Sequence, residues 1–336
     1  MTKNQRINAL NLLKEDLHKN NTYWDEVIAR AMAMNPWFTE KNIRMALTSI
    51  CEEMLDSQKL TQWSGQYPEI QDTKKVGLIM AGNLPLVGFA DWLALYISGH
   101  CAIVKCSEKD NVLFPALIER LSELARETSQ YTELVQQLKG FDAVIATGSN
   151  NTALYFESYF KNVPHIIRKN RTSVAVIDIA DTEETLELLT HDIHAYFGLG
   201  CRNVSKIYLP IGFDIQRVMK TLEKDTSNSS FNKYKNNFDY NLSIYMLNKI
   251  SFYTDNNIIL IEDPGLFSRI ACLHFQWYEK TEELINEFQI LQNDIQCIVS
   301  SNPINGLKTI LPGQTQKPSL MDYADDVDTM KFLSNL

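Results

Sequence analysis

"KKVGLIMAGNLPLVGFADWLALYISGHCAIVKCSE" (residues 74–108) decides the fold. KKVGLIMAG is a short apolar run that stops at the turn Asn83–Leu84–Pro85. LVGFADWLALYISG then reads as a helix, and CAIVKCS as a second apolar run. Val76 to Val104 is the most apolar stretch of the chain, but Asn83, Pro85, Asp91 and several glycines interrupt it. No unbroken segment reaches the roughly 20 apolar residues of a membrane span. The pattern is strand, turn, helix, strand. Strands that are apolar throughout and alternate with helices mark a parallel sheet covered on both faces.

The alternation continues outward from this segment. NVLFPALIERLSELARET is a second helix, with Val112, Leu117, Leu121 and Leu124 on one face. FDAVIATGS is a third strand, NNTALYFESYF a helix and TSVAVID a fourth strand. Residues 1 to about 70 read as helices, the first with Ile7, Leu10, Leu13 and Leu17 aligned. DTEETLELLTHDIHAYF is a helix opened by a capping box of Asp181 and Glu184, with Leu186, Leu189, Ile193 and Phe197 on its apolar face. Cys201 follows on a loop, and SKIYLP is the next strand. EKDTSNSSFNKYKNNFD reads as a surface loop, YNLSIYMLNKI as a helix, and NNIILIED, RIACLHFQWY and IQCIVS as strands. The tail from Leu311 is polar and irregular, with a short amphipathic end.

Composition narrows the partners. With 336 residues, 45% hydrophobic, the chain can bury a large core in one or two domains. A net charge of −9 argues against nucleic acid or an anionic membrane surface as the main partner. The six cysteines are scattered, with no CxxC pair and no His/Cys pair at ligand spacing, so neither a disulfide framework nor a metal site is expected. The N-terminus lacks an apolar signal core. A reducing, cytoplasmic setting is the expectation.

Polar residues gather at the ends of the expected strands, where ligands of parallel sheets sit. Asn83 closes the first strand and can donate its amide into a site above the sheet. Lys105, Ser107 and Glu108 close the second. Gly148 and Ser149 close the third and open a helix, whose first N–H groups favour an anion such as a pyrophosphate. Each motif alone is weak. Cys201 is placed differently from a structural cysteine, which lies inside an apolar element. It stands on a mobile loop, between Gly-Leu-Gly and Arg-Asn, as a candidate nucleophile. His194, one helical stretch earlier, invites a dyad.

Taken in order, these motifs resemble the aldehyde dehydrogenase superfamily. GNLP resembles its Asn-containing motif, KCSE its Lys-Pro-Ser-Glu motif and TGS its cofactor-phosphate motif. Glu262, in IEDPG, resembles its ribose-contacting Glu-x-x-Gly. The resemblance is closer to the LuxC-like bacterial long-chain acyl-CoA reductases, carried by AGNLPLVGFADWLALYISGH, FGLGCRNVSKIYLP, KYKNNFDYN and DYADDVDTMKFL. It implies an α/β fold of aldehyde-dehydrogenase type. A helical region over 1–74 would precede a nicotinamide-binding domain with a Rossmann-type sheet over 75–167. A second α/β domain over 168–310 would carry the nucleophile, and a tail over 311–336 would pack back on the body.

The implied chemistry is reduction of a fatty acyl thioester, acyl-CoA, to the aldehyde through an acyl group on Cys201. Asn83 would stabilise the oxyanion, and Lys105, Ser107, Glu108, Gly148, Ser149 and Glu262 would hold the cofactor. The resemblance implies NADPH. Glu108 near the adenosine ribose would repel a 2′-phosphate and favour NADH. Where hydrolytic relatives carry a water-activating Glu, this chain has Arg168. That exchange would spare the acyl-enzyme from water, and Arg168 stands either as a holder of a CoA anion or as a surface or interdomain charge. Ala90 stands where this branch is expected to carry a His, and no role is assigned to it. Alternatives are an acyl carrier protein thioester or acyl phosphate as donor, the reverse oxidation, and a weakly catalytic subunit beside an acyl-supplying partner. A hydrolytic thiol enzyme would need no nicotinamide site. A homo-oligomer is compatible with all of these.

Overall fold

The computed structural model describes residues 1–19 and 21–336. The chain forms two compact units, Met1–Asn170 with Pro318–Leu336, and Arg171–Lys317. The first begins with helices α1 (Lys3–His18), α2 (Thr22–Met34), α3 (Glu40–Ser49) and α4 (Ser57–Ser64), with a π-helical turn over Ile50–Met54. Each α-helix starts on a side-chain cap: Thr2, Asn21, Thr39 and Asp56. Then come β1 (Lys75–Ile79), α5 (Phe89–Ser98), β2 (Cys101–Lys105), α6 (Leu113–Leu124), β3 (Thr132–Leu134), β4 (Ala143–Thr147), α7 (Asn150–Phe160) and β5 (His165–Arg168).

The five strands form one parallel sheet in the order β3-β2-β1-β4-β5. Val76 in β1 sits between Ala102 of β2 and Ala143 of β4. The strand order therefore reverses at β1, and a crevice opens beyond the carboxyl ends of β1 and β4. Helix α5 is buried along almost its whole length and ends at Gly99, whose φ of 94° is natural only for glycine. The N-terminal helices share one core with the sheet: Leu10, Leu13, Ile43, Leu60, Val76 and Leu95 belong to a single cluster.

The second unit runs β6 (Thr172–Val176), α8 (Glu183–His194), β7 (Val204–Pro210), α9 (Ile215–Lys224), α10 (Asn232–Leu247), β8 (Tyr253–Thr254), β9 (Ile259–Glu262), β10 (Cys272–Tyr278), α11 (Thr281–Ile290), β11 (Ile295–Val299) and β12 (Thr309–Ile310). Its sheet has the order β12-β11-β6-β7-β10-β9-β8 and is parallel except at β8. Alternate residues of β7 serve opposite faces, as strand geometry requires. Ile207 and Leu209 pack with Leu186, Leu189 and Leu222 of α8 and α9, while Tyr208 packs with Leu284 and Phe288 of α11. The final helix, α12 (Thr329–Ser334), returns to the first unit and buries Met330 and Leu333 in its core.

Several expectations change. TSVAVID is β6, the first strand of the second sheet and not the fourth of the first. The first sheet instead gains two short edge strands, β3 and β5, that each pair with one neighbour. Helix α8 is capped by Thr182, which accepts from the Thr185 N–H. Asp181 instead turns to the Asp178 N–H and to the Ser301 hydroxyl. The same helix stops at His194, so Phe197 is not on its face. Half of the expected surface loop is helical: α10 begins at Asn232, with no capping side chain to announce it, and buries Tyr234, Phe238, Asn241 and Tyr245. Helices α9 and α11 were not anticipated.

Candidate active site

Within the first unit, parallel pairing brings the carboxyl ends of β1, β2 and β4 to one edge. Asn83 lies four residues past the end of β1 and is exposed. Lys105, the last residue of β2, and Glu108 are exposed, and Ser107 is half-buried. The Ser107 hydroxyl accepts from the Lys109 N–H and caps a short 3₁₀ turn over Glu108–Asp110. Gly148 and Ser149 follow β4, and Ser149 caps α7 by accepting from the Thr152 N–H. The six expected residues Asn83, Lys105, Ser107, Glu108, Gly148 and Ser149 are thus gathered at the crevice. The α7 N-terminus, where backbone N–H groups favour an anion, stands on the same edge.

Two glycines let these loops approach. A Cβ on Gly82 would fall 2.6 Å from the Ser107 hydroxyl and 3.0 Å from the Asp110 nitrogen. A Cβ on Gly148 would fall 2.9 Å from the Thr152 methyl. Asn35 of the α2–α3 connection donates to the carbonyls of Gly82 (3.3 Å) and Lys109 (3.1 Å), and so ties the first two loops together. Asp110 adds a second tie through the Leu86 N–H at 2.8 Å. Burial raises its carboxyl to about 6.

Arg168 takes neither part considered for it. It closes β5 with 4% of its surface exposed. Its guanidinium donates to both carboxylate oxygens of Asp91 (2.9 and 2.7 Å), to the Ala324 carbonyl and to the Thr329 hydroxyl (2.8 Å). Asp325 lies 3.8 Å away. A guanidinium so committed is a buried clasp between α5 and the returning tail, not a CoA ligand and not a surface charge. His100 is structural in the same sense: it accepts from the Lys74 N–H and bonds the Leu333 carbonyl.

In the second unit, Cys201 sits half-buried in the turn before β7. The loop expected to be mobile is held at several points. Asn203, 1% exposed, accepts from the Gly200 N–H (2.8 Å) and donates to the carbonyls of Asp192 (3.0 Å) and Ala195 (2.7 Å). The Ser173 hydroxyl donates to the Cys201 carbonyl at 3.1 Å. Ahead of the turn, Tyr196, Phe197 and Gly198 take left-handed φ values of 49°, 61° and 74° in succession. Such backbone is costly for the two aromatic residues, and the rest of the structure has to hold it. Phe197 is stacked on Phe231 with centroids 4.5 Å apart. Beside this turn lies a small cavity of about 20 Å³, lined in part by Phe197, Gly198, Ser205, Ser268 and Arg269. Asn203, Ser173 and Arg269 were missed in the sequence. Only Asn203 left a trace there, as the polar residue that follows Arg202.

Arg202, adjacent to Cys201, sends its guanidinium to the Cys297 sulfur at 3.2 Å. His194 is buried, with Nδ1 3.3 Å from the Asn228 amide. Glu262 is exposed. It closes the carboxyl end of β9 and, through Phe275 of β10, lies level with Ile207 of β7. Cys201 lies before the amino end of β7. At ~3.3 Å per residue the two stand at opposite ends of the sheet.

Burial separates the thiols. It raises Cys51 and Cys272 to about 11 and Cys106 to about 12, and shifts Cys101 upward. Cys297 is 8% exposed within β11. Cys201 lies on the turn before β7, and Cys106 on the loop directly after β2; both are half-buried. Among the described residues, no group of His, Cys, Asp and Glu is placed to hold a metal ion. No helix among them is long and apolar enough to cross a membrane.

A family model described as Acyl-CoA reductase (LuxC) matches residues 5–227. No curated protein matches the chain. Solved structures share its fold. Aldehyde dehydrogenase 21 from Physcomitrella patens, in complex with succinate, is similar over 100% of this chain and 84% of its own, with a TM-score of 0.69 at 11% identity. An NAD-dependent benzaldehyde dehydrogenase from Corynebacterium glutamicum is similar over 89% and 76%, with a TM-score of 0.63 at 9% identity. An NAD⁺ complex of an aldehyde dehydrogenase from Bacillus cereus is similar over 89% and 72%, with a TM-score of 0.61 at 14% identity.

Proposed function

Because the chain belongs to the LuxC family of acyl-CoA reductases, we propose that it reduces a fatty acyl thioester, acyl-CoA, to the aldehyde through a thioester formed on Cys201. The observation that supports this most is the placement of Cys201, half-buried on the turn before β7, with that turn held by Asn203 and Ser173.

Cys201, as thiolate, attacks the thioester carbonyl. The Asn83 amide and the Cys201 N–H receive the oxyanion, and losing one such donor typically costs about 3 kcal/mol of barrier. The carbonyl reforms, the carbon–sulfur bond to CoA breaks, and CoA leaves as thiolate. The new thioester is close in energy to the old, so the exchange is nearly balanced. A reduced nicotinamide, when bound, would supply one hydride to the carbonyl carbon of the acyl-cysteine. The thiohemiacetal alkoxide left on Cys201 re-forms the carbonyl, its carbon–sulfur bond breaks, and the aldehyde and the Cys201 thiolate separate. Lys105, Ser107, Glu108, Gly148 and Ser149 would hold the nicotinamide dinucleotide, and the first N–H groups of α7 favour an anionic group there. NADPH is the family's donor, and the carboxylate of Glu108 makes NADH the comparison to run.

Intact-mass measurement after mixing the protein with acyl-CoA alone tests the reading. An acyl adduct that maps to Cys201 and vanishes when NADPH is added supports it. No adduct with acyl-CoA, acyl carrier protein thioester or acyl phosphate would overturn it, as would full aldehyde production by Cys201→Ala.

A further inference from the structure

Leu86 is a branched residue in a left-handed conformation, φ 57°, three positions after Asn83. Outside glycine this backbone is costly and persists only where other contacts hold it. One contact on Leu86 is distinctive. Its N–H donates at 2.8 Å to Oδ2 of Asp110, which belongs to the neighbouring loop, the one that carries Ser107 and Glu108. Asp110 is 7% exposed, and its other oxygen, Oδ1, is buried without a hydrogen-bond partner. An acidic side chain kept in such a place at the expense of its own solvation has to do something that a smaller residue would not. The surrounding ties point the same way. Asn35 bonds a carbonyl on each of the two loops, and Gly82 leaves no room between its Cα and the Ser107 hydroxyl.

We propose that Asp110 is a positioning residue for Asn83: its carboxyl holds Leu86 in the left-handed turn that aims the Asn83 amide, and links that turn to the loop of Ser107 and Glu108. The inference rests on the proposed roles of Asn83 as oxyanion donor and of the Ser107–Glu108 loop as cofactor holder. The required chemistry is an acceptor oxygen at the Leu86 N–H; the carboxyl also faces the Leu113 N–H at the start of α6. Asparagine keeps that oxygen and alanine does not. The two loops therefore move together: an oxyanion donor is misaimed whenever the cofactor loop is displaced, and the reverse.

Asp110→Asn and Asp110→Ala, made in the full chain, separate the outcomes. Hydrogen exchange of the segment 83–89 reads the tie itself, independently of any catalysis. Exchange there should accelerate at least tenfold in Asp110→Ala and stay near wild type in Asp110→Asn. The rate of acyl transfer to Cys201 from acyl-CoA should fall at least tenfold in Asp110→Ala, with NADPH affinity weakened as well, and Asp110→Asn should restore both. Circular dichroism of the two variants should be the same. Unchanged exchange over 83–89 in Asp110→Ala overturns the proposal. So does faster exchange with wild-type acylation and NADPH binding, and so does an Asp110→Asn protein as impaired as Asp110→Ala. If the wild-type protein takes no acyl group from any donor, the catalytic reading fails, while the exchange measurement still decides whether Asp110 holds the turn.

Discussion

Asn203 is the side chain on which the presentation of Cys201 depends. It accepts from one backbone N–H and donates to two carbonyls inside a site that water does not reach. Asn203→Ala leaves those groups unpaired, and a stranded buried group costs about 1–3 kcal/mol. The expected result is a lower melting temperature together with acylation of Cys201 slowed at least tenfold, read by calorimetry and intact mass. Asp110 makes a pH prediction. Burial raises its folded pKa to about 6 from an ordinary 3.8, so the folded chain binds the proton more tightly than the unfolded chain does. Stability from this group is present below about pH 4 and is lost as pH rises through 6. Two pKa units correspond to about 3 kcal/mol. Asp110→Asn should therefore gain melting temperature relative to wild type between pH 4 and 7, in paired thermal scans. At this scale the placement of Cys201 on a turn and of polar residues at the strand ends was legible, because each sits where a regular element stops. The partners of Arg168 were not. Asp91 and Thr329 are 77 and 161 positions away, and no local pattern announces a contact that only the returning tail completes.

Elements carry the next set of consequences. The loops after β1 and β2 are in contact at Gly82, so Gly82→Ala should displace the Ser107 loop and weaken nicotinamide binding about tenfold or more in a fluorescence titration. Gly140, with open space around its Cα but φ 66°, is the control for a glycine change away from the crevice. The Asp91–Arg168 pair joins α5, β5 and α12. Removing one member of a buried pair typically costs 3–5 kcal/mol, because the other is left charged in the interior. Arg168→Leu should lose about that much in a denaturant titration, and Asp91→Leu with Arg168→Leu should recover part of it. Arg168→Glu would set a third carboxylate beside Asp91 and Asp325, so it should destabilise the fold without creating a hydrolase. The strands and helices read most securely were those whose apolar runs are continuous. The first half of α10 hid because lysines and asparagines fill the positions between its buried aromatics. β3 and β5 hid because an edge strand of three or four residues has too few positions to show a period.

For the whole molecule, both sheets have the same logic of parallel strands covered by helices, and the fold follows from that order of elements. The chain leaves the first unit after Asn170, builds the second, and re-enters the first at Pro318. The tail is not an appendage. Trp63 and Tyr67 bond Tyr323, Tyr67 also bonds Asp328, and Leu333 covers His100. Burial keeps the His100 imidazole neutral by pulling its pKa down. A chain cut before Pro318 should therefore show the first unit loosened, with protease cleavage in α5 and β5, while the second unit keeps its own melting transition. That connectivity also fixes the order of events at the ribosome. Domains generally fold as they emerge, but here the first unit waits with Arg168 and His100 uncovered until all of the second has been translated. The fold closes on itself only when the last helix arrives, and a product stalled in between presents raw apolar surface to the chaperones and proteases that meet nascent chains.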